Sequence, residues 1–187
     1  MDYINLLKRR RVALARITFI PFFAYLFFYE RVEIATPYDL KGWLGLAFVL
    51  LGVLVRLLSA GFLSKNKSLA STGLYALTRN PLYFGSFLVL LGINVIIWHW
   101  MFAAVTVALF LITYVPTILG EEKHLESTFP ESWHVFKEQT PRFFPAFWRL
   151  RGYREITWSF KQWKRNREYN ALISLMVLVL CWIWYTA

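Results

Sequence analysis

WLGLAFVLLGVLVRLLSAGFL, residues 43–63, is the stretch that decides the architecture of this chain. Its 21 residues carry a single charge, Arg56. As an α-helix rising ~1.5 Å per residue they would extend about 31 Å, enough to cross a hydrocarbon core of about 30 Å. The composition agrees: 58% of residues are hydrophobic and 19% aromatic, against roughly 45–50% apolar residues in soluble domains. An integral membrane protein is expected. Outward from this segment, residues 13–29, 82–98 and 101–119 and the shorter 171–184 are further apolar stretches. Together they predict an all-α membrane domain over residues 1–187, with about five transmembrane helices. Only His99 separates Trp98 from Trp100, so the third and fourth stretches should form a tight helical hairpin with tryptophans at the interface and His99 as a turn residue. Residues 120–170 become polar and basic while staying rich in aromatics. That segment should fold against the cytoplasmic membrane surface, beginning with a helix or helix pair over 121–139 that breaks near Phe129-Pro130.

The basic residues set the expected orientation. Of the 21 Lys and Arg, five precede Phe19, two fall in the first loop, three lie between Ser64 and Asn80, ten lie within residues 120–170, and Arg56 is alone in a span. By the positive-inside rule the N-terminus, the 64–80 loop and the 120–170 segment are cytoplasmic, in a bacterial inner membrane or an endoplasmic-reticulum equivalent. The basic start Lys8-Arg9-Arg10-Arg11 leads into an aromatic, Pro21-containing stretch without a small-residue cleavage site, so no signal peptide is expected. Topology also accounts for the net charge of +10, leaving no need for a nucleic-acid partner. The basic run 149–167 reads either as an interfacial helix on anionic headgroups or as a solvated positive flank. Arg56 reads either as a functional intramembrane charge or as a snorkelling one. Cys181 is the only cysteine, which excludes an intrachain disulfide. His124 and His134 lack ligand-like partners in spacing, so no metal site is expected.

Two polar knots flank the hairpin. The first is Gly73-Leu74-Tyr75-Ala76-Leu77-Thr78-Arg79-Asn80-Pro81-Leu82-Tyr83-Phe84-Gly85. The second begins with Glu121-Glu122 and continues at Thr140-Pro141-Arg142-Phe143-Phe144-Pro145. A helical hairpin returns both to one membrane face, where they can build one site.

This order of residues, Gly-x-Tyr-x-x-x-Arg-Asn-Pro-x-Tyr-x-Gly, then Glu-Glu, then Thr-Pro-Arg-Phe-Phe-Pro, resembles the integral-membrane methyltransferases grouped with isoprenylcysteine carboxyl methyltransferase and the phospholipid N-methyltransferases. The likeness covers roughly residues 71–145, and Asn80 stands where the family's Arg-His-Pro has histidine. The resemblance implies S-adenosylmethionine as cofactor, with Tyr75, Arg79, Asn80, Pro81, Tyr83, Glu121 and Glu122 around it, and a lipid or lipidated acceptor. The chemistry of the residues is compatible with this. Arg79 could hold the cofactor carboxylate, Glu121 and Glu122 could accept from its ammonium or ribose, and Tyr75, Tyr83 or nearby Phe could face adenine or sulfonium. Arg56 or Arg142 would suit an anionic acceptor. Arg79, Tyr83, Arg142 and Arg56 are therefore the expected catalytic positions. Two other functions stay open at this point: an NADPH-dependent membrane reductase of the sterol-reductase type, with a similar Tyr, Arg-His-Pro and Tyr pattern, and a noncatalytic membrane partner protein.

Overall fold

In the computed structural model, which describes residues 34–63, 69–148, 158–166 and 169–186, the chain enters its first helix through Thr36-Pro37-Tyr38-Asp39. The Asp39 carboxylate accepts hydrogen bonds from the Thr36 backbone N–H at 2.9 Å and the Thr36 hydroxyl at 3.0 Å. Those bonds, the backbone one foremost, hold the Asp39 carboxyl below its ordinary pKa. Helix α1 (Leu40–Phe62) follows. Pro81, which has no backbone N–H to satisfy, opens α2 (Pro81–Ile97).

Trp98 then takes a left-handed conformation, φ 46°, with its N–H bonded to the Asn94 carbonyl at 2.8 Å. A non-glycine residue in this region is uncommon. It lets a two-residue turn reverse the chain into α3 (Trp100–Thr128), the tight hairpin that the sequence predicts. The Trp98 ring is covered by the Lys41 ammonium, 4.8 Å from its centroid.

The α3 helix does not stop where its apolar run stops. It continues past Gly120 through Glu121 and Glu122 to Thr128, so the polar segment expected from residue 120 begins as a helical extension. Glu, Lys and Leu are good helix formers, and the loss of hydrophobicity at Glu121 carries no stop signal of its own. Pro116 lies inside α3, and the Thr113 and Thr117 hydroxyls donate to carbonyls one turn back, at 2.6 and 2.7 Å. After the break at Phe129, α4 (Pro130–Gln139), α5 (Phe160–Arg165) and α6 (Tyr169–Thr186) complete the described elements, all of which are helical.

Helices α1 and α2 pack with their backbones nearly touching. A Cβ at Gly45 would sit 2.7 Å from the Gly92 carbonyl oxygen, and one at Gly85 would sit 2.7 Å from the Gly52 carbonyl oxygen. The two glycine pairs therefore admit a close approach that no side chain could share. The C-terminal elements are tied to α1 at both ends. The Asn166 side-chain amide donates to the Ala60 and Leu63 carbonyls at 2.8 and 3.0 Å, and the Trp182 indole N–H donates to the Ala35 carbonyl at 2.8 Å. Helix α6 thus runs antiparallel to α1.

Of the described helices, α1 and α3 are long and apolar enough to cross a membrane, while α2 and α6 are shorter apolar helices. Two of the five expected spans thus meet this measure among the described residues. The expected span at 13–29 lies outside the described residues, as do Arg149, Arg151, Arg154 and Arg167 of the expected interfacial helix. Within that run, α5 is a helix of only six residues.

Candidate active site

Gly73, at φ 63°, starts a single 3₁₀ turn and leaves no space for a Cβ against the Phe62 ring. The residues after that turn lie alongside residues 141–146. The Arg79 N–H donates to the Pro141 carbonyl at 2.9 Å, and the Ala146 N–H donates to the Leu77 carbonyl at 2.9 Å. Between them the buried Thr78 hydroxyl donates to the Phe143 carbonyl at 2.9 Å, and the Asn80 amide donates to the Arg142 carbonyl at 2.9 Å. These bonds stitch the two polar knots into one.

At the seam sits Glu122, only 7% exposed. Arg142 donates from Nε at 3.1 Å, Asn80 donates from Nδ2 at 3.3 Å, and Arg79 Nη1 forms an ion pair at 3.3 Å. Two guanidinium groups against one carboxylate leave one positive charge uncancelled within the cluster. Burial holds the Arg79 pKa below its ordinary value; Glu122 opposes this effect and Arg142 adds to it. Arg79 also lies over the Trp133 ring, 5.7 Å from its centroid. The Arg79 Nε and the Trp133 Nε1 are both buried without a hydrogen-bond acceptor among the described residues.

Glu121, one residue earlier on α3, is exposed and accepts the Tyr83 hydroxyl at 2.6 Å. Consecutive helical residues diverge by about 100°, which is why one glutamate enters the seam and its neighbour faces outward. Tyr83 packs edge-on against Tyr114, and Tyr114 stacks on Phe110. Next to the cluster, α2 and α3 border a cavity of about 520 Å³ walled by apolar and aromatic residues, among them Phe87, Phe110, Phe143 and Phe144. Arg142 lies on its wall with half of its side chain exposed.

Arg79, Asn80, Glu122 and Arg142 are thus in mutual contact, with Pro81 buried behind them as the first residue of α2. Tyr83 and Glu121 pair with each other nearby. Two expected site residues sit elsewhere. Tyr75 is buried in a cluster with Trp133 and Phe136, beneath the ring that carries Arg79. Arg56 bonds to Leu82 and Ser86 and is outside the wall of the aromatic cavity.

Residues 40–132 match the sequence pattern of the phospholipid methyltransferase family. The chain belongs to this family. Its relatives include the cobalt-zinc-cadmium resistance protein CzcN of Cupriavidus metallidurans, 33% identical over 159 residues, which are 83% of this chain and 72% of that protein. The nickel-cobalt-cadmium resistance protein NccN of Alcaligenes xylosoxydans xylosoxydans is 33% identical over 106 residues, 56% of this chain and 48% of that protein. No solved structure matches the chain significantly.

The family match ends at residue 132, so Arg142 and the Phe143-Phe144 wall join the site from beyond it. Sequence reasoning passed over Thr78, whose hydroxyl helps to hold the Arg142 segment in place. Its position next to Arg79 was the available signal. It also passed over Asn94 and Thr106, which meet at 3.1 Å on the wall of the aromatic cavity. Each is a lone polar residue within an apolar run.

Proposed function

We propose that this protein transfers a methyl group from S-adenosylmethionine to a lipid or lipidated acceptor at a membrane, and that the acceptor bears a carboxylate, phosphate or amine. The reading extends the family assignment through one observation: Arg142 belongs both to the charged Glu122 cluster and to the wall of the aromatic cavity. Charged and hydrocarbon-compatible surfaces meet at that residue, as an amphiphilic acceptor requires.

The donor set fits the cofactor. The surplus positive charge of the Arg79, Arg142 and Glu122 cluster suits its carboxylate, and the buried donors at Arg79 Nε and Trp133 Nε1 are available to an acceptor atom brought beside them. The exposed Glu121 and Tyr83 pair can take hydroxyl or ammonium donors. When bound, S-adenosylmethionine supplies an electrophilic methyl group on a sulfonium. The faces of Phe110, Phe143 and Tyr114 favour a neighbouring cation. An anionic acceptor needs no deprotonation. What the chain contributes is then alignment, through Arg142 and the cavity, and exclusion of water by the Phe143 and Phe144 side chains.

In this reading α2 and α6 join α1 and α3 in a multi-pass domain with a cytoplasmic N-terminus, and the acceptor enters laterally. Family membership favours methyl transfer over an NADPH-dependent reductase. The relatives' names bring a biological setting, tolerance of cobalt, zinc and cadmium, to which altered membrane lipids would contribute. The test is incubation of purified protein with membrane lipid extract and methyl-labelled S-adenosylmethionine. Label in a lipid fraction, abolished by Arg142→Ala in a folded protein, is expected. Absence of label both in the lipid extract and in a prenylated-cysteine peptide offered beside it would refute the reading.

A further inference from the structure

The aromatic cavity beside the Glu122 cluster is elongated, with polar groups at both ends. On α3 its lining runs from Ala103 to Leu119, through residues that recur every third or fourth position and so share one face. At ~1.5 Å per residue that run is about 24 Å long, most of the ~30 Å thickness of a hydrocarbon core. Its Leu119 end lies one turn before Glu122 and carries Arg142. The opposite end lies beside the hairpin turn and carries Asn94 and Thr106. Between the two ends the described wall is apolar and aromatic.

Asn94 and Thr106 are bonded to each other and to their own helices. The Thr106 hydroxyl lies 3.1 Å from Asn94 Oδ1 and 2.9 and 3.0 Å from the Phe102 and Ala103 carbonyls. Asn94 Nδ2 donates to the Leu90 carbonyl at 2.7 Å. An amide nitrogen carries two hydrogens and its oxygen two lone pairs, so the pair retains hydrogen-bonding capacity in a wall that otherwise offers apolar contact. A hydrocarbon chain lying along Leu90, Phe110 and Val115 gains from the burial of each further methylene. A chain pushed onto the pair shuts water away from polar atoms and gives them nothing in return. Affinity should therefore climb with chain length until the chain reaches Asn94, and climb no further.

We propose that Asn94 and Thr106 set the length limit of the acceptor: its hydrocarbon chain extends from Arg142 toward the hairpin and ends at their level. The proposal rests on the reading of this cavity as the acceptor's, and it makes the pair a specificity determinant remote from the reacting groups. The pair also ties α2 to α3, a role that by itself would not make affinity depend on chain length.

The full chain in one detergent is titrated with decyl, tetradecyl, octadecyl and docosyl phosphate, and bound species are counted by native mass spectrometry. Binding of these probes needs no cofactor, so a failure of methyl transfer leaves the chain-length profile readable. Partition into detergent is common to all variants, and each profile is read against that of the parent. Asn94→Leu and Thr106→Val should each raise docosyl binding relative to decyl binding about tenfold. Leu111→Asn, at a half-exposed position on the same wall and nearer Arg142, should lower octadecyl binding relative to decyl binding by a similar factor. A parent-like profile in folded Asn94→Leu or Thr106→Val would overturn the proposal, as would a folded parent that binds no alkyl phosphate. If neither of those variants folds, a parent-like profile in Leu111→Asn overturns it.

Discussion

Arg142 reaches the carboxylate of Glu122 at 3.1 Å from a segment that follows α4, so a charged contact between the end of one helix and a distant loop closes the site. Glu122 is buried, its Arg79 partner is nearly so, and Arg142 is half exposed. The three positions should therefore differ in their response to substitution.

Glu122→Gln leaves two guanidinium groups facing each other without their carboxylate. Its destabilisation should be on the order of 3 kcal/mol, seen as a lowered thermal midpoint in detergent. Arg142→Gln removes the more solvated partner and should cost about 1 kcal/mol or less. A larger loss from Arg142→Gln than from Glu122→Gln would contradict the geometry.

Tyr83→Phe deletes the hydroxyl that donates to Glu121 while keeping the ring against Tyr114. Because the pair is exposed, stability should change by no more than about 1 kcal/mol. If the pair holds a ligand, methyl transfer should fall about tenfold or more, the equivalent of ~1.4 kcal/mol. Parallel measurement of unfolding and turnover separates the two effects.

Gly45→Val places a side chain where the α2 backbone lies 2.7 Å from the new Cβ. Overpacking at this contact should cost about 1–3 kcal/mol. Thermal unfolding of Gly45→Val and of the parent protein in one detergent provides the comparison.

Asp39 has a lowered pKa when folded, so its contribution to the start of α1 is fully present above the ordinary aspartate value near ~3.9 and is lost as pH falls through the lower folded value. Hydrogen-exchange protection of the Thr36 amide, corrected for the intrinsic rate, should decline over that acidic range. In Asp39→Asn it should be low and flat across the same range.

Much of this arrangement can be read from the chain. The apolar run at 43–63 marks α1, the Trp98-His99-Trp100 turn marks the hairpin, and Phe129-Pro130 marks the break before α4, because length, interfacial tryptophans and proline are local signals. Arg79 and Glu122 mark where the two polar knots meet. The division of labour between the two glutamates is not legible, since it depends on the rotation of a helix that continues beyond its apolar stretch. Nor is the pairing of residues 77–80 with 141–146, which is made by backbone groups that every sequence has. The roles of Tyr75 and Arg56 depend on which face of a helix or turn meets which neighbour. For Arg56 that neighbour includes α6, more than a hundred residues away in sequence.

The most direct test of the central claim is calorimetric titration of the detergent-purified protein with S-adenosylmethionine, alongside NADPH and the Glu121→Ala variant. Saturable binding of S-adenosylmethionine, weakened in the variant, with no binding of NADPH, is the predicted result. Binding of NADPH alone, or of neither compound by a folded protein, would contradict the account.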